Sequence, residues 1–561
     1  MKSMLRLLVA GLGLWAGCAH PPRSGSPTAA AGSTPSAPPP SAAPQAVSQA
    51  GTGARAQARA IEGPDSVYWK GRSDLIRPPA PPPARALTLP RVDRWTLKNG
   101  LEVVAVPRGG LPIVSFTMAI KAGGYDEQKD RTQGVADFTA AMLRKGTRKG
   151  TRQRSADEIS EAIDGVGGSL DAVASMENSM VTCSVLVRDG ALCLELLSAM
   201  LLTPTFPETE MEEIRDQILA ALASRTDDPH QLAAEHFDNL LFGEDHPDGW
   251  VLAEDHVRAI KRETLLAFWK SFYRPNNAVL AVAGDFDVRT IKTAVARAFE
   301  SWRPAPLPAR PAFQIPSFPH TRVVLVDKPD LTQATLMLGQ AGIRHQDPDW
   351  YAATLVNYVL GGSDFSSRLM TEVRSKRGLT YGIGSSFGNT LYQGALRISA
   401  ATRNETAWDA LSVTIEEVRK MKASGPTSEE LAKAKGYYAG SIPFQLESAA
   451  GIAQGIVAAE LHGLGLSYVR DLPVRLAAVD EATARATALA RLTPDDMAIV
   501  VVGRASIIEP QLRQPAVNLA GLPTGLPMPG LAFERVDYRA PISSARRKAA
   551  AAPAKGTPPR L

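Results

Sequence analysis

Apolar residues in this chain follow two periods. Short unbroken runs at 101–106, 277–284 and 497–503 read as strands buried on both faces. Further β-rich runs lie at 113–121, 322–326 and 334–339. Between them the period lengthens to that of helices. Ser155-x-x-Glu158 reads as a capping box, with Ile159, Ala162, Ile163 and Val166 on one face. Thr209-x-x-Glu212 reads as another, with Met211, Ile214, Ile218 and Leu222 inward. The pattern occurs twice. Val103 and Val323, which open the two halves, are 220 residues apart; Gly284 and Gly503, which close them, are 219 apart. Two landmarks at nearly the same offset predict repeated domains of about 200 residues. The proline-rich stretch 303–308 separates them. Strands and helices in segregated runs predict an α+β fold.

Composition refines this at the ends. Of 561 residues, 44% are apolar and 21% charged, which is globular usage and excludes wholesale disorder, a coiled coil or a polytopic membrane protein. Residues 21–90 hold 15 of the 43 prolines among Ala, Ser and Gly, so they read as an extended tether. Before it, Lys2 and Arg6 precede the apolar segment 7–17, too short to span a bilayer and placed as an export signal. It ends in Ala16-Gly17-Cys18, which resembles a bacterial lipobox apart from Trp15; a plain signal cut near Gly17 or Ala19 is the other reading. Lipidated Cys18, followed by Ala19, implies an outer-membrane anchor facing the periplasm. The net charge of +5 resides in the tail: 539–561 carries six cations and no acid, leaving −1 elsewhere. A basic nucleic-acid-binding domain is therefore not expected.

The segment Gly134-Val135-Ala136-Asp137-Phe138-Thr139-Ala140-Ala141-Met142-Leu143-Arg144-Lys145-Gly146-Thr147 resembles the signature of the pitrilysin/insulinase-type zinc peptidases, the inverzincin group that includes the mitochondrial processing peptidases. Asp227-Asp228-Pro229, His246-Pro247-x-Gly249, Tyr273-Arg274-Pro275-Asn276-Asn277 and Gly284-Asp285 extend the likeness, which covers about 92–505. It implies two homologous metallopeptidase-like α/β sandwich domains in a clamshell, with a disordered N-terminal tether and C-terminal tail. The expected boundaries are 1–18 signal, 19–91 tether, 92–302 first domain, 303–320 linker, 321–506 second domain and 507–561 flexible basic tail.

In that family His-x-x-Glu-His on one helix supplies two zinc ligands and the general base, and a glutamate from a later helix completes the site. Here the matching positions are Asp137, Ala140, Ala141 and, by alignment on Pro229, Ala221. An alanine can neither bind zinc nor move a proton. The implied reading is therefore no catalytic residue and no metal in this chain. Offset by 220, the second half has Asn357 in the place of Asp137 and offers no substitute. His230, His236, His246 and His256 lack ligand spacing. The motif from Ser366 to Tyr381 resembles the family's second-domain signature, in which an arginine and a tyrosine seven residues apart bind the substrate backbone and steady the oxyanion. Arg374 and Tyr381 hold those places, against the plainer reading of an Arg374 ion pair with Glu372 or a partner acid and a packing tyrosine. Gly361-Gly362-Ser363 reads as a flexible loop or a helix-ending turn. Residues 170–174 resemble the edge strand to which substrates add, or are an ordinary edge. Cys183 and Cys193 read equally as a disulfide in an exported protein or as two buried thiols.

These features imply a zinc-less subunit of an envelope peptidase, lending Arg374 and Tyr381 to a zinc-bearing catalytic homologue that acts on peptides or unfolded proteins. A peptide-binding scaffold lipoprotein is the alternative, and a self-sufficient zinc endopeptidase a third reading.

Overall fold

The computed structural model describes residues 85–317, 320–388, 390–513 and 533–542. The signal, Cys18 and most of the tether and tail lie outside the described residues. Two six-stranded mixed sheets form the body. The first contains β1 (Asp93–Thr96), β2 (Glu102–Pro107), β3 (Ile113–Ile120), β6 (Ser169–Ala174), β7 (Ser179–Leu186) and β8 (Ala278–Gly284), in the order β1-β2-β8-β3-β7-β6. A separate hairpin joins β4 (Gly146–Lys149) to β5 (Arg152–Ser155). The second sheet contains β9 (Arg322–Asp327), β10 (Gln333–Ala341), β11 (Thr380–Phe387), β12 (Ala395–Arg403), β13 (Ala498–Gly503) and β14 (Phe533–Asp537), in the order β11-β12-β10-β13-β9-β14.

The duplication is topological as well as sequential. β2 pairs in parallel with β8 as β9 does with β13. β3 runs antiparallel to β8 and β7, and β10 to β13 and β12. Each half thus repeats five strands, and each adds one strand of its own, β1 or β14, beyond the repeat.

Alternation along the strands shows how each sheet is covered. Val103, Ala105, Leu280 and Val282 face a core with Phe116, Phe138, Met142 and Leu197 of the same half. Val104, Val106, Ala281 and Ala283 face the other way, where they meet Ile452, Ala453, Ile456 and Val457 on the helix Ala449–Leu461 of the second half. The exchange is reciprocal. The first-half helix Pro229–Phe242 places Leu232, Phe237, Leu240 and Leu241 against Val324, Val326, Val500 and Val502 of the second sheet. The two lent helices start 220 residues apart, at Pro229 and Ala449. The central strands of each sheet are buried on both faces, which is why they read as unbroken apolar runs. Gly339 is required at this contact: a Cβ there would lie 2.9 Å from the Phe237 ring and 1.9 Å from the Leu396 carbonyl oxygen.

Some boundaries differ from those expected. The capping box at Ser155 forms, its Oγ accepting from Glu158 N and the Glu158 carboxylate from Ser155 N. The helix carrying Ala221 instead spans Glu208–Ser224 and starts after Pro207, so Thr209 is inside it. The flexible tail does not begin at 507. The helix Ala505–Arg513 extends past that point, with Ile508 and Leu512 buried in the second core. Further on, β14 adds in parallel to β9, where Arg535 meets Asp327 and Glu509 and Lys328 lies 4.4 Å from the centre of the Tyr538 ring. Net basic charge hides these partly apolar elements from a composition argument. Cys183 on β7 and Cys193 on the helix Gly190–Leu202 form a disulfide, with Cα atoms 5.8 Å apart, which decides between the two readings.

Two outcomes follow for stability. Phe237→Ala empties a contact shared by both halves and is expected to cost about 3–5 kcal/mol. Calorimetry should show one transition moving as a unit, not one half melting first. The double change Cys183→Ala, Cys193→Ala removes a buried cross-link and is expected to cost about 2–4 kcal/mol. A reductant should lower the melting temperature of the wild-type chain and leave that of the double variant in place.

Candidate functional site

The first candidate site centres on the helix Val135–Met142. Gly134, at a positive φ of 87°, turns the chain into it. The Glu127 carboxylate caps its N-terminus, accepting from Gly134 N and Ala136 N at 2.8 Å each. Val135, Phe138 and Met142 face the core and Asp137 faces outward. The helix bearing Ala221 is tied beneath: Arg215 donates to the carbonyls of Val257 and Ile260, and its guanidinium lies 5.6 Å from the centre of the Phe138 ring.

Ala140 is buried, while Ala141 and Ala221 are half-buried. The Asp137 side chain keeps contact with solvent, yet surrounding protein strips enough hydration to push its carboxyl up to about 6. One carboxylate and three methyl groups do not fit zinc, which takes nitrogen, sulfur or several carboxylate donors. Among the described residues, no group of three or more His, Cys, Asp or Glu side chains is placed to hold a metal.

The structure does not gather the four histidines. His246 lies among Phe242, Phe313 and Tyr125, its Nδ1 accepts from Asp248 N, and burial pushes its ring down to about 4. His256 Nδ1 accepts from Ala253 N, His230 is exposed and His236 is buried.

The second candidate site is built from two π turns. The helix Trp350–Asn357 opens into Tyr358–Gly362, and a second π turn spans Met370–Ser375. Asn357 secures the first turn to β11, accepting from Ser385 Oγ at 2.8 Å and donating to its carbonyl at 3.2 Å. Gly361 allows that contact, since a Cβ there would lie 2.7 Å from Ser385 N. This glycine serves close packing; the flexible-loop reading is corrected. Arg368 anchors the next stretch through two bonds to Glu430, at 2.7 and 2.6 Å, which also caps the helix Ser428–Gln445.

Arg374 follows buried Val373, with its guanidinium carbon 4.7 Å from the centre of the Phe365 ring and 4.8 Å from that of Tyr381. Both rings face solvent, Phe365 70% and Tyr381 86% exposed. Glu372 is engaged by Lys376 at 2.5 Å and Arg377 at 2.7 Å, so the plainer expectation of an Arg374–Glu372 pair is not met. Two of these residues, Arg374 and Tyr381, were legible from the motif; Phe365 was not, because a lone exposed phenylalanine carries no pattern. No hydrogen bond or ion pair joins Asp137 and its helix to Arg374 or Tyr381 among the described residues. The structure brings together the second-half pair, not the two sets.

Residues 170–174 lie in β6, which among the described residues pairs only with β7 and forms an edge of the first sheet. The turn after β6 carries a buried network that no local spacing announces. Glu177 Oε2 meets His462 Nε2 at 3.0 Å, His462 Nδ1 meets His345 Nδ1 at 2.8 Å, and His345 Nε2 meets the Tyr468 hydroxyl at 2.8 Å. Leu391 N donates to the other Glu177 oxygen, and Arg310 donates to the Glu177 carbonyl. The hairpin end of the first sheet is thereby fastened to the second half. An ionised Glu177 selects one polarity: Tyr468 donates to His345, His345 to His462, and His462 to Glu177.

A two-domain peptidase-type fold with these motifs defines the class. Residues 103–246 match Insulinase (Peptidase family M16) and residues 259–438 match Peptidase M16 inactive domain. An uncharacterized zinc protease of Streptomyces coelicolor is 30% identical over 403 residues, 71% of this chain and 86% of that protein. The uncharacterized zinc protease YmxG of Bacillus subtilis is 29% identical over 360 residues, 64% of this chain and 85% of that protein. A solved peptidase M16 inactive domain from Pseudomonas fluorescens superposes with a TM-score of 0.68 at 29% identity, covering 74% of this chain and 98% of that one. The chain belongs to the M16, or insulinase, peptidase family.

Burial and the facing His462 push the His345 ring down to about 3, against 6.5 for a free imidazole. The folded ring is neutral where the unfolded one takes up a proton. It therefore costs nothing above about pH 6.5 and costs progressively more as the pH falls toward 3. The melting temperature of His345→Gln should fall less between pH 7 and 4.5 than that of the wild type. Equal slopes would mean the ring is protonated when folded.

Proposed function

We propose that this chain is a non-catalytic M16 subunit that contributes peptide contacts, through Arg374 and Tyr381, to a zinc-bearing relative in the bacterial envelope. One observation carries this reading. The Arg374 guanidinium lies against two exposed aromatic rings while the only nearby acid in sequence, Glu372, is taken by Lys376 and Arg377. A residue kept for packing would bury its rings; one kept for an ion pair would use Glu372. The donor set of Asp137, Ala140, Ala141 and Ala221 supports the absence of bound zinc and of a general base in this chain. Zinc would come with the partner.

The leader with Cys18 and the proline-rich tether support a lipid-anchored protein facing the periplasm. The Cys183–Cys193 disulfide suits that oxidising compartment. β6 supports the same peptide-handling role, because its open edge could accept an added strand.

The purified full chain should contain far less than one zinc per molecule and cleave no peptide. Combined with a relative carrying His-x-x-Glu-His, it should yield a peptidase whose kcat/KM drops at least about tenfold on Arg374→Ala, the loss of one charge-assisted hydrogen bond. Stoichiometric zinc, or a complex whose activity ignores that substitution, would overturn the proposal.

A further inference from the structure

We infer that the Phe365–Arg374–Tyr381 stack is a receptor for a carboxylate group of the bound peptide, with Phe365 positioning the guanidinium. This rests on the peptide-contact reading above and names the chemistry it selects. A guanidinium has two flat faces and a rim of N–H donors. Phe365 and Tyr381 both lie against Arg374, with ring centres 4.7 and 4.8 Å from the guanidinium carbon. Among the described residues the N–H rim makes no side-chain hydrogen bond.

The neighbouring cations are paired. Arg368 holds Glu430, and Lys376 and Arg377 share Glu372. Among the described residues no carboxylate hydrogen-bonds to Arg374.

The ring contacts help to hold the guanidinium in place for what binds at its edge. A peptide carbonyl would take one donor and leave the charge unbalanced. A carboxylate takes two parallel donors and neutralises it. Phe365 and Tyr381 are exposed rings that would then flank the ligand's chain.

Fluorescence anisotropy on the full-length chain tests this with one neutral decapeptide in three forms: a free C-terminal acid, a C-terminal amide, and an amide with a single internal glutamate. At least one acidic form should bind about tenfold or more tightly than the neutral amide, the size of a charge-assisted pair. Preference for the first form assigns the C-terminal carboxylate; preference for the third assigns a side chain. Arg374→Gln should bring the ratio to one. Arg374→Lys should lower it with charge retained, because an ammonium lacks the two-donor fork. Phe365→Leu, which keeps apolar bulk, should lower it as well, and rising salt should shrink it only where Arg374 is intact. Unchanged melting curves verify folding. If all three forms bind equally and Arg374→Gln weakens them alike, the contact is to backbone carbonyls: the carboxylate inference falls and the peptide-contact reading stands. If no form binds, both fall.

Discussion

The two sheets share one packing problem, and they solve it for each other. On the face away from its own helices, the first sheet presents Val104, Val106, Ala281 and Ala283, small side chains that let a helix lie close. The helix that fills the space comes from the other half, and the favour is returned through Phe237 and its neighbours on the second sheet. Burial of apolar area on both faces is the dominant favourable term for such sheets. Neither half can obtain it alone. The relative placement of everything else, including the junction at Glu177, follows from that mutual cover.

Against this fixed frame the two candidate sites have diverged. The Asp137 helix has its cap at Glu127, its core contacts and its support from Arg215, around side chains that do not fit zinc. The second half is built differently. Asn357, at the position equivalent to Asp137, fixes the π turn to β11, and the glycine beside it permits the contact. Two π turns and the Arg368–Glu430 pair then hold the Arg374 segment so that a cation and two aromatic rings meet in solvent. π turns recur at functional positions because they re-aim side chains that an ordinary helix would bury.

Much of this was legible in residue order. The twofold landmarks at Val103 and Val323 correspond to β2 and β9, and the unbroken apolar runs are strands covered on both sides. The cap at Ser155 is where its spacing puts it. What escaped was long-range. No period in 229–242 or 449–461 tells which sheet those helices cover, since an apolar stripe has no address. His345 and His462 lie 117 residues apart, and only folding sets their rings at 2.8 Å. β14 escaped because its charged residues look like tail until Asp327 and Glu509 are seen beside Arg535.

The lent helices also impose an order in time. A chain emerging from its N-terminus completes 229–242 before any strand of the second sheet exists, so that helix can wait ready for its target. The first sheet has no such provision. Its outer face stays uncovered until Ile452 to Val457 have been made, some 170 residues after β8 closes. Contacts of such sequence separation form late. A first half that cannot finish alone therefore stays open along that face until the helix Ala449–Leu461 has been made and docks.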